Sequence, residues 1–318
     1  MIFHYIFLTF LNLYKFLKKW AIKSLLFFIS LIWLSDPSYI IHLIMSSTLE
    51  LFNLSKKNSI KYEKYFNIYD EILSDYRGKD ITFVEIGVLD GGSLEIWKKY
   101  FGKNAKIIGI DLNPKSKKFE QEGIEIFLGD QSDKNFWESF FKKIGKVDII
   151  IDDGGHTNKQ QIVTTINSVK NINNGGMLII EDTHTSYIRE YGNPHKYSFV
   201  NFSKKIIDDI NYTFFPSSSV LKKFQLSLNK EIYSIRYFES FCIFYIDRNR
   251  CGLNKPINNK GYKTENININ ISPEYKNLFY FKIIKSIFKK LSFLKFIYNY
   301  FILLLKKYKN NRLKKFFD

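Results

Sequence analysis

Short, mainly apolar runs alternate along this chain with longer stretches in which apolar residues recur at helical spacing. The runs Ile81–Gly87, Lys106–Ile110, Ile124–Leu128, Ile149–Ile151 and Met177–Ile180 are too short for helices, and the last two are uninterrupted by polar residues. Such runs predict strands buried on both faces, as in a parallel sheet. Helical patterns over Ile60–Tyr76, Gly92–Phe101, Asp133–Ile144 and Thr157–Asn171 separate them. The alternation predicts an α/β fold, a doubly wound sheet with right-handed crossovers. A further helical pattern covers Tyr197–Asn211. Two apolar runs, Ile232–Tyr237 and Phe241–Asp247, then stand only Phe238-Glu239-Ser240 apart. That spacing predicts a hairpin.

Several strands run into acidic residues. Ile149-Ile150-Ile151 leads into Asp152-Asp153, and Met177–Ile180 leads into Glu181-Asp182. In open α/β sheets ligands bind at the carboxyl ends of the strands. Neighbouring strand ends lie about 5 Å apart, so Asp153, Glu181 and Asp182 can converge, with His156 a turn away. Carboxylates that close repel unless protons or a cation intervene, which makes a metal-assisted centre the sharper reading. Carboxylate ligation favours magnesium over zinc. The plainer readings are that Asp153 caps the helix beginning near Thr157 and that His156 is structural. His184 and Tyr187 either line an acceptor pocket or pack.

The upstream half has a different chemistry. The first strand enters the loop Gly87 to Gly92, and the second ends in Asp111, placed to accept hydrogen bonds from ribose hydroxyls. The third ends in Gly129-Asp130-Gln131. The loop lacks the G-x-G-x-x-G spacing of dinucleotide enzymes, and the chain has no G-x-x-x-x-G-K-[ST] phosphate loop. A nucleoside cofactor without a pyrophosphate fits better, and S-adenosylmethionine is the candidate.

The runs VEIGVLDGGSLEIWKKYF, IIGIDLNP, GDQSD, IDDGGH and IEDTHTSY together resemble the class I S-adenosylmethionine-dependent methyltransferases, which have a Rossmann-like sheet. More closely, they resemble the metal-dependent sugar O-methyltransferases that act on macrolide glycosides, together with the rhamnosyl and cephalosporin-hydroxylase-like group. The resemblance covers about Leu49 to Arg248. It implies magnesium ligation by Asp153, Glu181 and Asp182, with His156 as general base. It implies cofactor contacts from Glu85, Gly87, Gly91, Asp111, Asp130 and Gln131, an antiparallel final strand pair, and methyl transfer to a sugar hydroxyl. The acceptor itself is not fixed.

Charge bears on the partners. The 318 residues carry a formal net charge of +17, which invites a nucleic-acid reading. Its distribution argues against one: Pro273–Asp318 carries +10 and Met1–Ile44 carries +3, leaving +4 for residues 45–272. In the tail, Lys and apolar residues interleave at helical spacing. That pattern suits a helix lying on an anionic membrane surface, or a helix that caps the domain or joins two copies as a homo-oligomer. Met1–Ile44 is apolar and aromatic, without a secretory n-region. It reads either as a membrane-interfacial helix or as residues preceding the true start, because Met45 opens a stretch resembling a natural beginning for this family. The expected organisation is therefore an extension over 1–44, a methyltransferase domain over 45–248, an Asn-rich linker over 249–272 and a basic amphipathic tail over 273–318. Cys242 and Cys251 have neither metal-ligand spacing nor a disulfide framework. The expected location is cytoplasmic, at the inner face of the membrane. The rival readings are an NAD(P)-dependent oxidoreductase on a similar sheet and an inactive, membrane-associated interaction protein of the same fold.

Overall fold

A computed structural model describes residues 46–121, 123–194, 196–212 and 228–252, with the isolated positions 257, 259–261, 300 and 304. Its strands are β1 (Thr82–Ile86), β2 (Lys106–Asp111), β3 (Ile124–Leu128), β4 (Val147–Asp152), β5 (Ile172–Ile180), β6 (Ile232–Phe238) and β7 (Phe241–Ile246). The helices used below are α1 (Thr48–Leu54), α2 (Glu63–Leu73), α3 (Gly92–Phe101), α4 (Lys134–Ile144), α5 (Asn158–Ser168) and α6 (Phe199–Tyr212). One seven-stranded sheet runs in the order β3-β2-β1-β4-β5-β7-β6. β1 to β5 pair in parallel, and β7 is antiparallel to both β5 and β6. The expected doubly wound sheet and terminal hairpin are both present.

Register explains the unbroken apolar runs. Phe83 pairs with Ile107 and with Ile149, and Ile149 pairs with Met177. These residues face a core shared with Tyr69 of α2 and with Trp97, Tyr100 and Phe101 of α3. The next residues along, Val84, Ile108, Ile150 and Leu178, face a second core with Trp137 and Phe140 of α4 and Phe199 and Ile206 of α6. Both faces are covered, so each central strand must be apolar at consecutive positions. The sheet reverses direction of winding between β1 and β4, and the crevice at such a point is where an open α/β sheet binds its ligand.

Three elements differ from the sequence reading. The helix expected over Ile60–Tyr76 begins only at Glu63, because Tyr62 is extended (φ −73°, ψ 142°), and it tightens into a 3₁₀ turn at Ser74–Tyr76. β5 begins at Ile172, five residues before the apolar run; Asn173-Asn174-Gly175-Gly176 belongs to it, with an irregular register opposite Val147 and Ile149. A Cβ on Gly176 would lie 2.2 Å from the Asp148 carbonyl oxygen, so the strand enters through a position that no side chain fits. α1 was not anticipated; Ser47 and Glu50 form a capping box at its start. Cys242 and Cys251 are free. The expected N-terminal extension, the C-terminal tail and most of the linker lie outside the described residues. Among the described residues, no helix is long and apolar enough to cross a membrane.

Candidate active site

The carboxyl ends of β1, β2, β4 and β5 open into a cleft of about 880 Å³. Asp111, Leu112 and Asp130 line one side; Asp153, His156 and Asp182 line the other; Asn58 to Tyr62, the segment leading into α2, forms a further wall. The backbone is strained around it. Leu89, His156 and Asp182 take left-handed φ angles of 49°, 56° and 53°, which non-glycine residues rarely adopt and which cluster at functional sites. Gly87, at φ +94°, lies so close to β4 that a Cβ would be 2.2 Å from the Asp153 carbonyl oxygen.

On the β2 side, Asp111 accepts backbone N–H bonds from Val88 at 2.9 Å and Asn113 at 2.7 Å. These fix its carboxylate at the cleft edge. Asp130 also lines the cleft and accepts from the backbone and hydroxyl of Ser132. Gln131 reaches the cleft wall, but its amide is committed: it donates to Asp152 at 2.8 and 2.9 Å and to Thr164 at 3.1 Å, and its oxygen accepts from the Gly155 N–H. Glu85 and Gly91 are not part of the cleft wall. Glu85 is fully buried and accepts from Ser93 at 2.6 Å. Gly91, at φ +76°, precedes α3 where a Cβ would press on Phe119 at 2.8 Å.

On the β4–β5 side, the chain brings Asp153, His156 and Asp182 together. Their potential ligand atoms all lie within 4.8 Å of one another. His156 Nε2 is 3.3 Å from Asp182 Oδ2 and 3.9 Å from Asp153 Oδ1, while its Nδ1 is buried without a hydrogen-bond partner. Asp153 does not cap α5; Thr157 does, through a capping box with Gln160. Asp152 is buried and bound by Gln131, and burial pushes its carboxyl upward.

Glu181 is fully buried beside this group. Its carboxylate accepts from Tyr69 Oη at 2.7 Å and Lys61 Nζ at 3.1 Å. Lys61 also donates to Asp153 Oδ2 at 2.6 Å and stands 3.6 Å from Glu85 Oε1. Burial pulls the Lys61 ammonium downward, but Asp153 and Glu181 outweigh it and hold the pKa well above the ordinary value. Three carboxylates share this one ammonium, so burial drives Glu181 well above the carboxylate range despite Lys61, and Glu85 upward with it. Tyr65 donates to Asp182 Oδ1 at 2.5 Å, and burial, followed by that bond, raises its phenol strongly. Tyr65 and Tyr69, one helical turn apart on α2, thus hold the two acids of Glu181-Asp182 from one face.

His184 contacts Ser240 Oγ at 2.6 Å and lies 3.8 Å from Asp182 Oδ1. Tyr187 is exposed and lines a smaller cavity of about 270 Å³ with Lys196 and Lys204. Neither forms the main cleft wall. Lys61 and Tyr69 were missed by sequence reasoning. The one signal available was the repeat of Tyr65 and Tyr69 at helical spacing after Lys61.

No protein-family model matches the chain. Over 163 residues it is 30% identical to the 8-demethyl-8-alpha-L-rhamnosyl tetracenomycin-C 2'-O-methyltransferase of Streptomyces olivaceus, covering 48% of this chain and 43% of that protein. Over 161 residues it is 33% identical to the mycinamicin VI 2''-O-methyltransferase of Micromonospora griseorubida, covering 47% and 40%. The chain thus matches less than half the length of these curated relatives. Among solved structures, the mycinamycin-pathway methyltransferase MycE in complex with Mg and SAH superposes with a TM-score of 0.60 at 25% identity, over 68% of this chain and 58% of that one. The fold is that of the class I methyltransferases. Within that fold, the chain resembles the sugar O-methyltransferases of macrolide and tetracenomycin pathways.

The methyltransferase fold raises the question of whether these residues suit a nucleoside cofactor and a hard cation. They do. Asp111 presents a fixed acceptor at the cleft edge, and the oxygen-rich set of Asp153 and Asp182 beside His156 matches the donor chemistry that divalent cations take. Asp182 is held ready by Tyr65.

Proposed function

We propose that this chain is an S-adenosylmethionine-dependent, magnesium-assisted O-methyltransferase acting on a sugar hydroxyl of a glycan or glycoside. The observation that carries the reading is a single cleft with a ribose-type acceptor, Asp111, on one side and Asp153, His156 and Asp182 converging on the other. The likeness to rhamnosyl and mycinamicin O-methyltransferases, and to MycE in complex with Mg, SAH and Mycinamycin VI at 26% identity and a TM-score of 0.59, supports the acceptor class.

Asp111 would bind the ribose hydroxyls, with Asp130 on the same wall and the Gly87 turn admitting the cofactor close to the backbone. Asp153 and Asp182 would hold the cation, joined by Glu181 as the resemblance implies. When bound, S-adenosylmethionine supplies an electrophilic methyl group, and the cation lowers the pKa of a coordinated hydroxyl. His156 Nε2 would take the hydroxyl proton, and Asp182 Oδ2 at 3.3 Å would stabilise the resulting imidazolium. Displacement at the methyl needs the nucleophile in line, so the walls contribute by orientation. Residues 58–62 and the rim residues Leu89 and Leu112 would exclude water from the closed cleft.

The basic tail would bring this cleft to an anionic membrane surface on the cytoplasmic side, and so to lipid-linked or surface glycans as acceptors. The supporting feature is the interleaving of Lys with apolar residues beyond Pro273.

The test is transfer of a labelled methyl group from S-adenosylmethionine to a panel of rhamnosyl glycosides, with magnesium or with excess chelator. Labelled product formed with magnesium and lost in chelator is expected. Undiminished product in chelator removes the cation from the mechanism.

A further inference from the structure

Lys61 is the group in this site that neither cofactor nor acceptor chemistry uses. Its side chain is only 4% exposed. It bridges Asp153 Oδ2 at 2.6 Å and Glu181 Oε2 at 3.1 Å, two of the three side chains assigned above to the cation. Behind it, Glu85 Oε1 stands 3.6 Å away with no hydrogen-bond partner. A magnesium ion lies about 2.0–2.1 Å from its oxygen ligands. An ion bound to both Asp153 and Glu181 would have to occupy the space the ammonium now fills. Two cations cannot share it, because their repulsion is barely screened in a buried pocket.

We propose that Lys61 and a divalent cation are alternative occupants of this acidic centre. In the metal-free protein the ammonium holds Asp153, Glu181 and Glu85 together, and it withdraws when Asp153 and Glu181 take a metal. The inference rests on the metal-assisted reading above.

The chain around Lys61 is built to allow the exchange. Asn58 is anchored by a bond from its amide to Asp90 at 3.1 Å, and Lys57 by an ion pair with Glu95 at 2.8 Å. Helix α2 begins at Glu63. Between these anchors lie only Ser59, Ile60, Lys61 and Tyr62, with Ile60 74% and Tyr62 60% exposed. Rotation of this short non-helical stretch can withdraw the Lys61 side chain without disturbing α2. The same stretch is a wall of the cleft. Metal entry would therefore reshape the space offered to the acceptor, making cation binding and acceptor binding interdependent.

Two measurements test the exchange. In calorimetric titration of chelator-treated protein with magnesium or manganese, Lys61→Met should bind the cation at least ~10-fold more tightly than the unchanged chain, because a competing charge is gone. Because Lys61→Met leaves three carboxylates without a counter-charge, the second measurement uses the unchanged protein. Its lysines are acetylated with acetic anhydride and located by peptide mass spectrometry. Lys61 should be protected without metal and modified several-fold faster with it. A cation that binds while Lys61 stays protected, with no tightening in Lys61→Met, overturns the exchange but leaves the metal-assisted reading standing. Failure of the unchanged protein and of Lys61→Met alike to bind a cation overturns both the exchange and the metal-assisted reading.

Discussion

Tyr65 and Asp182 set the geometry at the scale of single residues. Asp182 sits at a left-handed φ of 53°, a strained position that needs support. The Tyr65 hydroxyl supplies it from α2, and Tyr69 does the same for Glu181. Tyr65→Phe removes a bond to a charged acceptor, an interaction of about 1.5–3 kcal/mol. The expected result is a 10- to 100-fold loss in magnesium affinity, with binding of S-adenosylhomocysteine unchanged; parallel calorimetric titrations check both. The acids at the strand ends were legible from sequence because each closes an apolar run. Their partners were not. Lys61 lies 92 positions from Asp153 and 120 from Glu181, and nothing local marks a lysine that folds inward. Gln131 carries a second partnership that no local pattern announces. It stands at a cofactor-type position on the cleft wall, and its amide also binds Asp152, Thr164 and Gly155.

Among elements, β1 and β4 carry the site. They run side by side with Ile86 opposite Asp152. The chain beyond Ile86 turns at Gly87, and the chain beyond Asp152 gives Asp153. The contact between these two turns leaves no room for a side chain. Gly87→Ala would place a methyl group 2.2 Å from the Asp153 carbonyl oxygen at φ +94°. Backbone strain of that kind costs about 1–3 kcal/mol before any clash is relieved, and relief would displace Asp153. Chemical denaturation should show at least that loss, together with weakened cation binding; an unaltered midpoint would refute the close approach. The strands were readable because burial on two faces demands unbroken apolar runs, as in Ile149–Ile151. The start of β5 was not, because Asn173–Gly176 reads as a loop and becomes strand only by pairing against β4. The shorter α2 was equally hidden. Ile60–Tyr62 continues a helical pattern, but its lysine is drawn to the carboxylates, its residues stay outside the helix and Tyr62 is extended.

For the whole molecule, buried titratable groups set the pH range of stability. Burial raises the phenols of Tyr76 and Tyr100 to about 12 and the Cys242 thiol to about 12. In the unfolded chain these groups ionise near 10 and about 8.5. A raised folded pKa contributes stability that is present below the unfolded value and lost as pH climbs toward the folded one. Lys61, also raised, acts in the same direction. The melting temperature should therefore fall steadily from about pH 8.5 upward, and a flat profile to pH 11 would contradict the burial of these groups. The sheet should also stand without the tail. Arg248 closes it, donating to Glu231, to the Ile172 carbonyl at 2.8 Å and to the Lys170 carbonyl at 3.0 Å. Deletion of residues 256–318 leaves Arg248 in place, and the shortened chain should melt cooperatively and lose salt-sensitive binding to anionic vesicles. Vesicle binding that survives the deletion would remove the tail from the membrane reading. The central claim is that the cleft holds a nucleoside cofactor through Asp111. Calorimetric titration with S-adenosylhomocysteine tests it most directly. The account predicts one saturable site, no comparable heat with NAD, and a loss of about 1.5–3 kcal/mol in a folded Asp111→Ala variant. An affinity unchanged by that substitution, or tighter binding of NAD, would contradict it.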